Sequence, residues 1–313
     1  MTARSLLDRT GTFIGLLLVA IIFGALVGSQ FFSPGNVELM ARQAAIVCMA
    51  ALGMTVVIAT GGIDLSVGSI ISLGTVVIAL ALRAGYPPVP AALAGVAAAT
   101  ACGVLNGVVI TQLRVVPFIV TLGTMLIVRG AAKGLAEERR IEAQYTWLND
   151  LLRTRPGTLL PGGIWLVIVL ALLVAGILRY TRFGRHVLAI GSNERMARLC
   201  GVAISRTKIM VYGISGALAG MAGLLQFSKL SVGDPTVAIG LELDVIAAVI
   251  IGGGSLTGGR GTALGTIIGA AIMTVIQIGC SQKGLPNWVQ QIVTGAIIVI
   301  AVALDRVRSV RTS

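Results

Sequence analysis

Between two long apolar stretches the chain reads Gly61-Gly62-Ile63-Asp64-Leu65-Ser66, one carboxylate and one hydroxyl behind paired glycines. Such a pair can accept orphan backbone N–H groups at a helix start, or bind the hydroxyls of a polar solute. Either use needs a close approach of backbone, which glycine permits. A related block, Gly252-Gly253-Gly254-Ser255-Leu256-Thr257, follows 191 residues later in ungapped register, Gly252 under Gly61. Gly62/Gly253, Leu65/Leu256, Gly68/Gly259, Leu73/Leu264, Gly74/Gly265 and Thr75/Thr266 also coincide, Ser66 faces Thr257, and Asp64 faces Ser255. Asp64 and Ser255 both have N-cap chemistry, so the spacing predicts that each begins a helix after a glycine break. Glycine-interrupted apolar segments at matching positions of two halves mark a solute path. The candidate pathway residues are therefore Gly61, Gly62, Asp64, Ser66, Gly253, Ser255 and Thr257. For Asp64 capping is the reading adopted, with direct solute contact as the alternative.

A third candidate lies in the polar stretch 181–208. Ser192 or Asn193 can cap a short helix there, with Glu194 in its first turn, Arg198 in its last and Gly201 as its stop. Two turns are too few to stand alone, so this helix must dock on something. Reaction chemistry, by contrast, is missing. There is one histidine, His186, and no phosphate-cradling GxxxxGK[ST]; Cys48, Cys102, Cys200 and Cys280 are scattered without CxxC spacing. No catalytic residue, metal ligand or cofactor is assigned, and the cysteines read as small packing residues.

The elements that must position these residues are membrane helices. Of 313 residues 56% are apolar and only 12% charged, with mean hydropathy +0.96. A soluble domain carries about twice that share of charge. About ten apolar segments are expected, near 12–32, 40–60, 64–82, 89–111, 117–135, 162–180, 208–229, 241–254, 259–281 and 287–304. None shows barrel alternation, and 241–254 is short enough to be re-entrant. The fold class expected is an all-α, polytopic bundle forming one transmembrane domain over 1–313. Its repeat halves cover about 40–135 and 208–304, with a polar loop at 181–207 between them. The N-terminal apolar run is longer than a signal-peptide core and has no clear cleavage site, which predicts an uncleaved first span.

The net charge of +12 is placed for topology, not for nucleic acid. Arg4 and Arg9 precede the first span, Arg306, Arg308 and Arg311 follow the last, and Arg179, Arg182, Arg185, Arg195, Arg198, Arg206 and Lys208 sit between the sixth and seventh. The positive-inside rule puts all three groups, and both termini, in the cytoplasm. The loop 136–160, with Glu137, Glu138, Glu142 and Asp150, then lies outside. Rows of small residues (Gly95, Ala99, Gly103, Gly107; Gly216, Gly220; Gly261, Gly265, Gly269) predict close helix packing inside the bundle.

Four blocks, "GGIDLSVGS", "LNGVVITQLRVVPFIVTLGTMLIVRG", "TRFGRHVLAIGSNERMARLCGV" and "VIIGGGSLTGGRGTALGTIIGA", together resemble the permease subunits of bacterial ABC importers for monosaccharides such as ribose, xylose and galactose. They run in order over residues 61–270. The resemblance implies a multi-pass protein of the bacterial inner membrane. Its implied partners are an ABC ATPase, a periplasmic sugar-binding protein, a second permease copy or paralogue, and membrane lipids. It also implies that the basic loop carries the helix that meets the ATPase, with Gly184, Arg185, Asn193, Glu194, Arg198 and Gly201 at that contact. Branched-chain amino-acid permeases are relatives that typically have Asn-Leu where this chain has Asp64-Leu65, and autoinducer-2 importers share the sugar-type motif. The competing class is an ion-driven secondary transporter. Its relay candidates would be Asp64, Glu242, Asp244, Arg129 and Lys133, few in number and near span ends.

Overall fold

The computed structural model describes residues 3–154 and 160–310, with backbone alone for 3–10 and 304–310. The charges of Arg4, Arg9, Arg306 and Arg308 therefore lie outside the described side chains, and Arg311 outside the described residues. The described residues form twelve α-helices: α1 Ala3–Val27, α2 Pro34–Ala59, α3 Val67–Arg83, α4 Pro88–Gln112, α5 Pro117–Leu135, α6 Gly162–Tyr180, α7 Arg182–Ser192, α8 Glu194–Leu199, α9 Ile204–Leu230, α10 Leu241–Ile251, α11 Ala263–Gln282 and α12 Asn287–Val310. Six of them (α2, α4, α5, α6, α9 and α11) are long and apolar enough to cross a bilayer. Shorter apolar stretches occupy Gly11–Val27, Val67–Arg83 and Asn287–Ala303. This is a multi-pass membrane protein. Prolines at the first turn of α2, α4 and α5 start those helices, where the missing N–H costs nothing.

Helices α2 and α9 form the interior, and α3, α4, α10 and α11 pack around them. The small-residue rows are what let them close. A methyl group on Gly103 would overlap the Tyr212 carbonyl, and one on Gly216 would lie 2.6 Å from the Ala99 carbonyl. The α4 row thus fits into the α9 row, backbone against backbone. Gly265 and Gly269 meet Gly252 and Ala248 in the same way, joining α11 to α10. Leu126 and Ile127 on α5 and Leu172 on α6 point outward, as lipid-facing side chains do.

Two features depart from the expected pattern. The loop around 136–160 carries a two-residue strand, β1 (Ile141–Glu142), paired antiparallel with β2 (Val232–Gly233). An all-α reading must admit this small ladder, which ties two loops together at one end of the bundle. Asp234 holds it down, accepting from Arg140 Nε at 3.0 Å, while its carbonyl accepts from Ser72 and Thr75 of α3. The second departure is α7, eleven residues of helix within the stretch expected to be loop around a single short helix.

Candidate functional site

The two glycine blocks fall where the sequence places them, between α2 and α3 and between α10 and α11. Each leaves its helix through a glycine in the left-handed region, Gly61 at φ +77° and Gly253 at φ +89°. A side chain at either would be strained.

Asp64 is fully buried. Its Oδ1 accepts the Ser66 N–H at 3.0 Å and the Ser66 hydroxyl at 2.5 Å, and its Oδ2 accepts the Ser215 hydroxyl at 3.4 Å. Asn106 of α4 extends the cluster by donating to the Ser66 hydroxyl at 2.9 Å. Among the described residues no cation pairs with Asp64. The carboxylate is therefore spent on fastening the break to α4 and α9. It does act on a helix start, but from two positions before the cap: the N-cap of α3 is Ser66, whose own N–H the carboxylate takes. Thr121 of α5 donates to the Ile63 carbonyl at 3.1 Å, and Gly62 lies against the Tyr212 hydroxyl. The Asn106 Oδ1 and Tyr212 hydroxyl are buried without a partner among the described residues.

The expected cap at Ser255 needs correction. Helix α11 starts at Ala263 and is capped by Thr262, which accepts the Gly265 N–H at 3.2 Å. The reason is local: Gly258 and Gly259 both sit at positive φ and keep the chain out of a helix. Ser255 instead bonds the Thr257 hydroxyl at 2.9 Å, and its carbonyl takes the Gly258 N–H.

The two breaks touch. Gly259 donates its N–H to the Ala59 carbonyl at 3.0 Å, and a methyl group on Gly258 would lie 2.9 Å from the Gly61 nitrogen. Gly191, near the end of α7, fits between them, with no room for a side chain against Ala59 and Gly259. Three chain segments therefore meet at one glycine junction.

Two residues beyond Gly191, Asn193 caps α8 by accepting the Met196 N–H at 3.0 Å, as its position predicts. Gly201, at φ +80°, follows the end of this six-residue helix. Glu194 accepts from Lys208 at 2.7 Å and Arg198 at 3.1 Å, which anchors α8 to α9. The Lys208 hydrogen bond, and then Arg198, hold the Glu194 carboxyl below its ordinary 4.5. Ala197 packs inward with Ile190 and Ile204, whereas Met196 and Leu199 project outward. That leaves an apolar knob on a basic surface. Gly184 is buried where α7 turns against α6, and Arg185 is exposed on α7.

Of the other four ionisable candidates, Arg129, Glu242 and Asp244 are engaged locally. Arg129 donates to the Pro235 and Val237 carbonyls, Glu242 accepts the Gly240 N–H, and Gln277 donates to Asp244 at 2.6 Å. Sequence reasoning missed Asn106, Ser215, Tyr212 and Gly191. A polar Asn106 inside an apolar run was a readable signal; the meeting at Gly191 was not.

A profile of the family described as "Branched-chain amino acid transport system / permease component" matches residues 36–302. Among curated relatives, the ribose import permease of Bacillus subtilis is 37% identical, covering 97% of this chain and 94% of that protein. The ribose import permease of Escherichia coli K12 is 35% identical over 97% and 95% of the two chains. The fructose import permease of Rhizobium meliloti is 34% identical, over 93% and 83%. Among solved structures, a metal-chelate-type ABC transporter in an inward-facing conformation superposes with TM-score 0.53 at 12% identity, covering 94% of this chain and 98% of that one. That likeness is one of fold.

Proposed function

The chain belongs to the branched-chain amino acid transport system permease family, and from that premise we propose that it is the membrane subunit of an ATP-driven importer for a monosaccharide. The curated relatives with sugar names, matched along nearly their whole length, favour sugar over amino acid. Asp64-Leu65 points the same way, standing where amino-acid permeases typically have Asn-Leu. In this reading about ten segments cross the bacterial inner membrane, with α10 and the breaks as partial crossings. Both termini and α8 face the cytoplasm.

The observation that carries the mechanism is the glycine junction. A separate ATPase would press on α8 through Met196 and Leu199. Helix α7 would pass that displacement through Gly191 to both broken segments at once, because Ala59, Gly258 and Gly259 abut it and Gly61 lies against Gly258. In the present arrangement Asp64 is closed off, so it positions the break and does not touch solute. When the break shifts, the unpaired Asn106 Oδ1 and Tyr212 hydroxyl become available to sugar hydroxyls. Weak and distributed contacts of this kind suit a path that must release its cargo.

The partners in this reading are an ATPase pair, a periplasmic binding protein and a second permease subunit. The test is reconstitution in vesicles with an ATPase and a binding protein from the same operon, across a panel of labelled ribose, fructose, arabinose, allose, leucine and autoinducer-2. Uptake of one sugar that needs ATP and both partners is expected. Uptake by the chain alone under a proton or sodium gradient would replace this reading with the secondary-transporter class.

A further inference from the structure

The turn between α4 and α5 and the corner between α8 and α9 enclose a cavity of about 730 Å³. Four cations line it, Arg114, Arg198, Arg206 and Lys208, against one carboxylate, Glu194. That carboxylate is already taken by Lys208 and Arg198. Arg114 and Arg206 have no side-chain hydrogen bond or ion pair among the described residues. Arg114 is moreover held at φ +56°, a conformation that residues other than glycine seldom adopt. Helices α5 and α9 both begin at this cavity, and neither start is capped by a side chain. The cavity therefore offers an excess of positive charge and unused donors, and an anion with several acceptor oxygens suits it.

The walls say what kind of anion. Val116 lines the cavity, and Val116, Leu113 and Ile119 are all exposed on the flanking α4–α5 segment; Met210 is exposed on α9 just beyond Lys208. Cations beside exposed apolar side chains, at the ends of membrane-crossing helices, match a headgroup with chains attached better than a soluble ion. We propose that this cavity binds the phosphate headgroup of an anionic phospholipid. Arg114 and Arg206 would hold the phosphate oxygens, and the acyl chains would lie over Leu113, Val116 and Ile119. The site adjoins α8, so an occupied cavity would brace the docking helix; that consequence, unlike the binding itself, rests on the import reading.

The test uses the full chain with its ATPase in mild detergent, exchanged against phosphatidylglycerol or phosphatidylcholine and examined by native mass spectrometry. Selective retention of phosphatidylglycerol is expected. In the Arg114→Gln/Arg206→Gln variant the selectivity should fall by about fivefold for each arginine removed, with the ATPase still attached. The single Arg114→Gln variant repeats the measurement should the pair fail to insert. Unchanged retention in these variants overturns the proposal. So does displacement of the lipid by millimolar inorganic phosphate, which would make the site one for a soluble anion. Loss of the ATPase with lipid retention intact also overturns it, since the cavity would then belong to a protein interface. Lipid retention is read without sugar or transport, so failure of the import reading leaves the result standing.

Discussion

Between α2 and α3 the chain crosses its break in residues 60–66, and between α10 and α11 it takes the longer stretch 252–262. Both leave a helix through a left-handed glycine, and they align residue for residue in sequence. The first is then fastened by side chains: Asp64, Ser66, Asn106 and Ser215 form one buried cluster that joins three helices. The second shows backbone bonds and a short-range bond between Ser255 and Thr257, with two further left-handed glycines before α11 begins. The difference teaches that a shared glycine pattern fixes where a helix breaks but not how firmly. A buried polar network specifies one geometry; a loop bonded mainly to itself can move as a unit. In the proposed importer this makes the Asp64 break the stiffer of two moving segments and the Ser255 break the more compliant.

The largest effect is expected where the two breaks meet. Gly191→Val would force a branched side chain between the Ala59 carbonyl and the Gly259 nitrogen, where no volume exists. Forced overpacking costs about 1–3 kcal/mol, so uptake should fall by about tenfold or more. Comparing uptake with membrane abundance separates a damaged junction from a protein that never inserts. Equal uptake at equal abundance would show that the junction carries no function.

The two breaks should then answer differently to loss of their polar residue. Asp64→Ala strands the hydroxyl groups of Ser66 and Ser215 in the interior, which costs about 1–3 kcal/mol. Ser255→Ala removes the short-range bond to Thr257, worth about 0.5–1.5 kcal/mol. Thermal unfolding in detergent should rank them in that order. Asp64→Asn keeps an acceptor for Ser66 and can donate to Ser215, so abundance and uptake should both survive. Normal abundance with uptake abolished in the Asn variant would instead make the carboxylate a solute contact.

The smallest effect belongs to the surface tie on α8. Glu194→Gln weakens the bonds to Lys208 and Arg198, and exposed pairs contribute about 0.2–1 kcal/mol. Amide exchange over residues 193–201 should therefore quicken by no more than about fivefold. A carboxyl held below its ordinary value stabilises the folded form above that value and loses the contribution as pH falls through the lowered one. Protection of these amides in the wild type, taken relative to the intrinsic exchange rate at each pH, should thus stay level from neutral pH to about 4.5 and fall only below it. A loss of protection between pH 7 and 5 would show that Glu194 does not anchor the helix.

Much of this architecture was legible in the sequence because membrane helices announce themselves. The runs at 117–135 and 162–180 match α5 and α6 end to end, since proline or glycine starts each and charge or glycine stops it. The cap at Asn193 was readable because capping is decided within four residues. Helix α7 was not: Arg182, Gly184, Arg185, His186 and Gly191 interrupt its apolar residues and give it the look of a loop, and burial of Val187 and Ile190 against the bundle settles it as a helix. Ser255 misled because alignment with Asp64 implied equal helix starts, whereas Gly258 and Gly259 postpone the second. The ladder at Ile141 and the junction at Gly191 depend on segments far apart in the chain, Ile141 with Gly233 and Gly191 with Ala59 and Gly259, beyond the reach of any local pattern.

The link from α8 to both breaks is tested most directly by locking it. Ser192 lies against Gly259, close enough for a disulfide between cysteines at the two positions. In a background where Cys48, Cys102, Cys200 and Cys280 are replaced, the double variant Ser192→Cys/Gly259→Cys is reconstituted with its ATPase and binding protein, beside each single-cysteine variant. The account predicts that oxidation stops ATP-driven sugar uptake in the double variant alone, that the ATPase stays bound, and that reduction restores uptake. Full uptake by the oxidised, demonstrably cross-linked protein would contradict it.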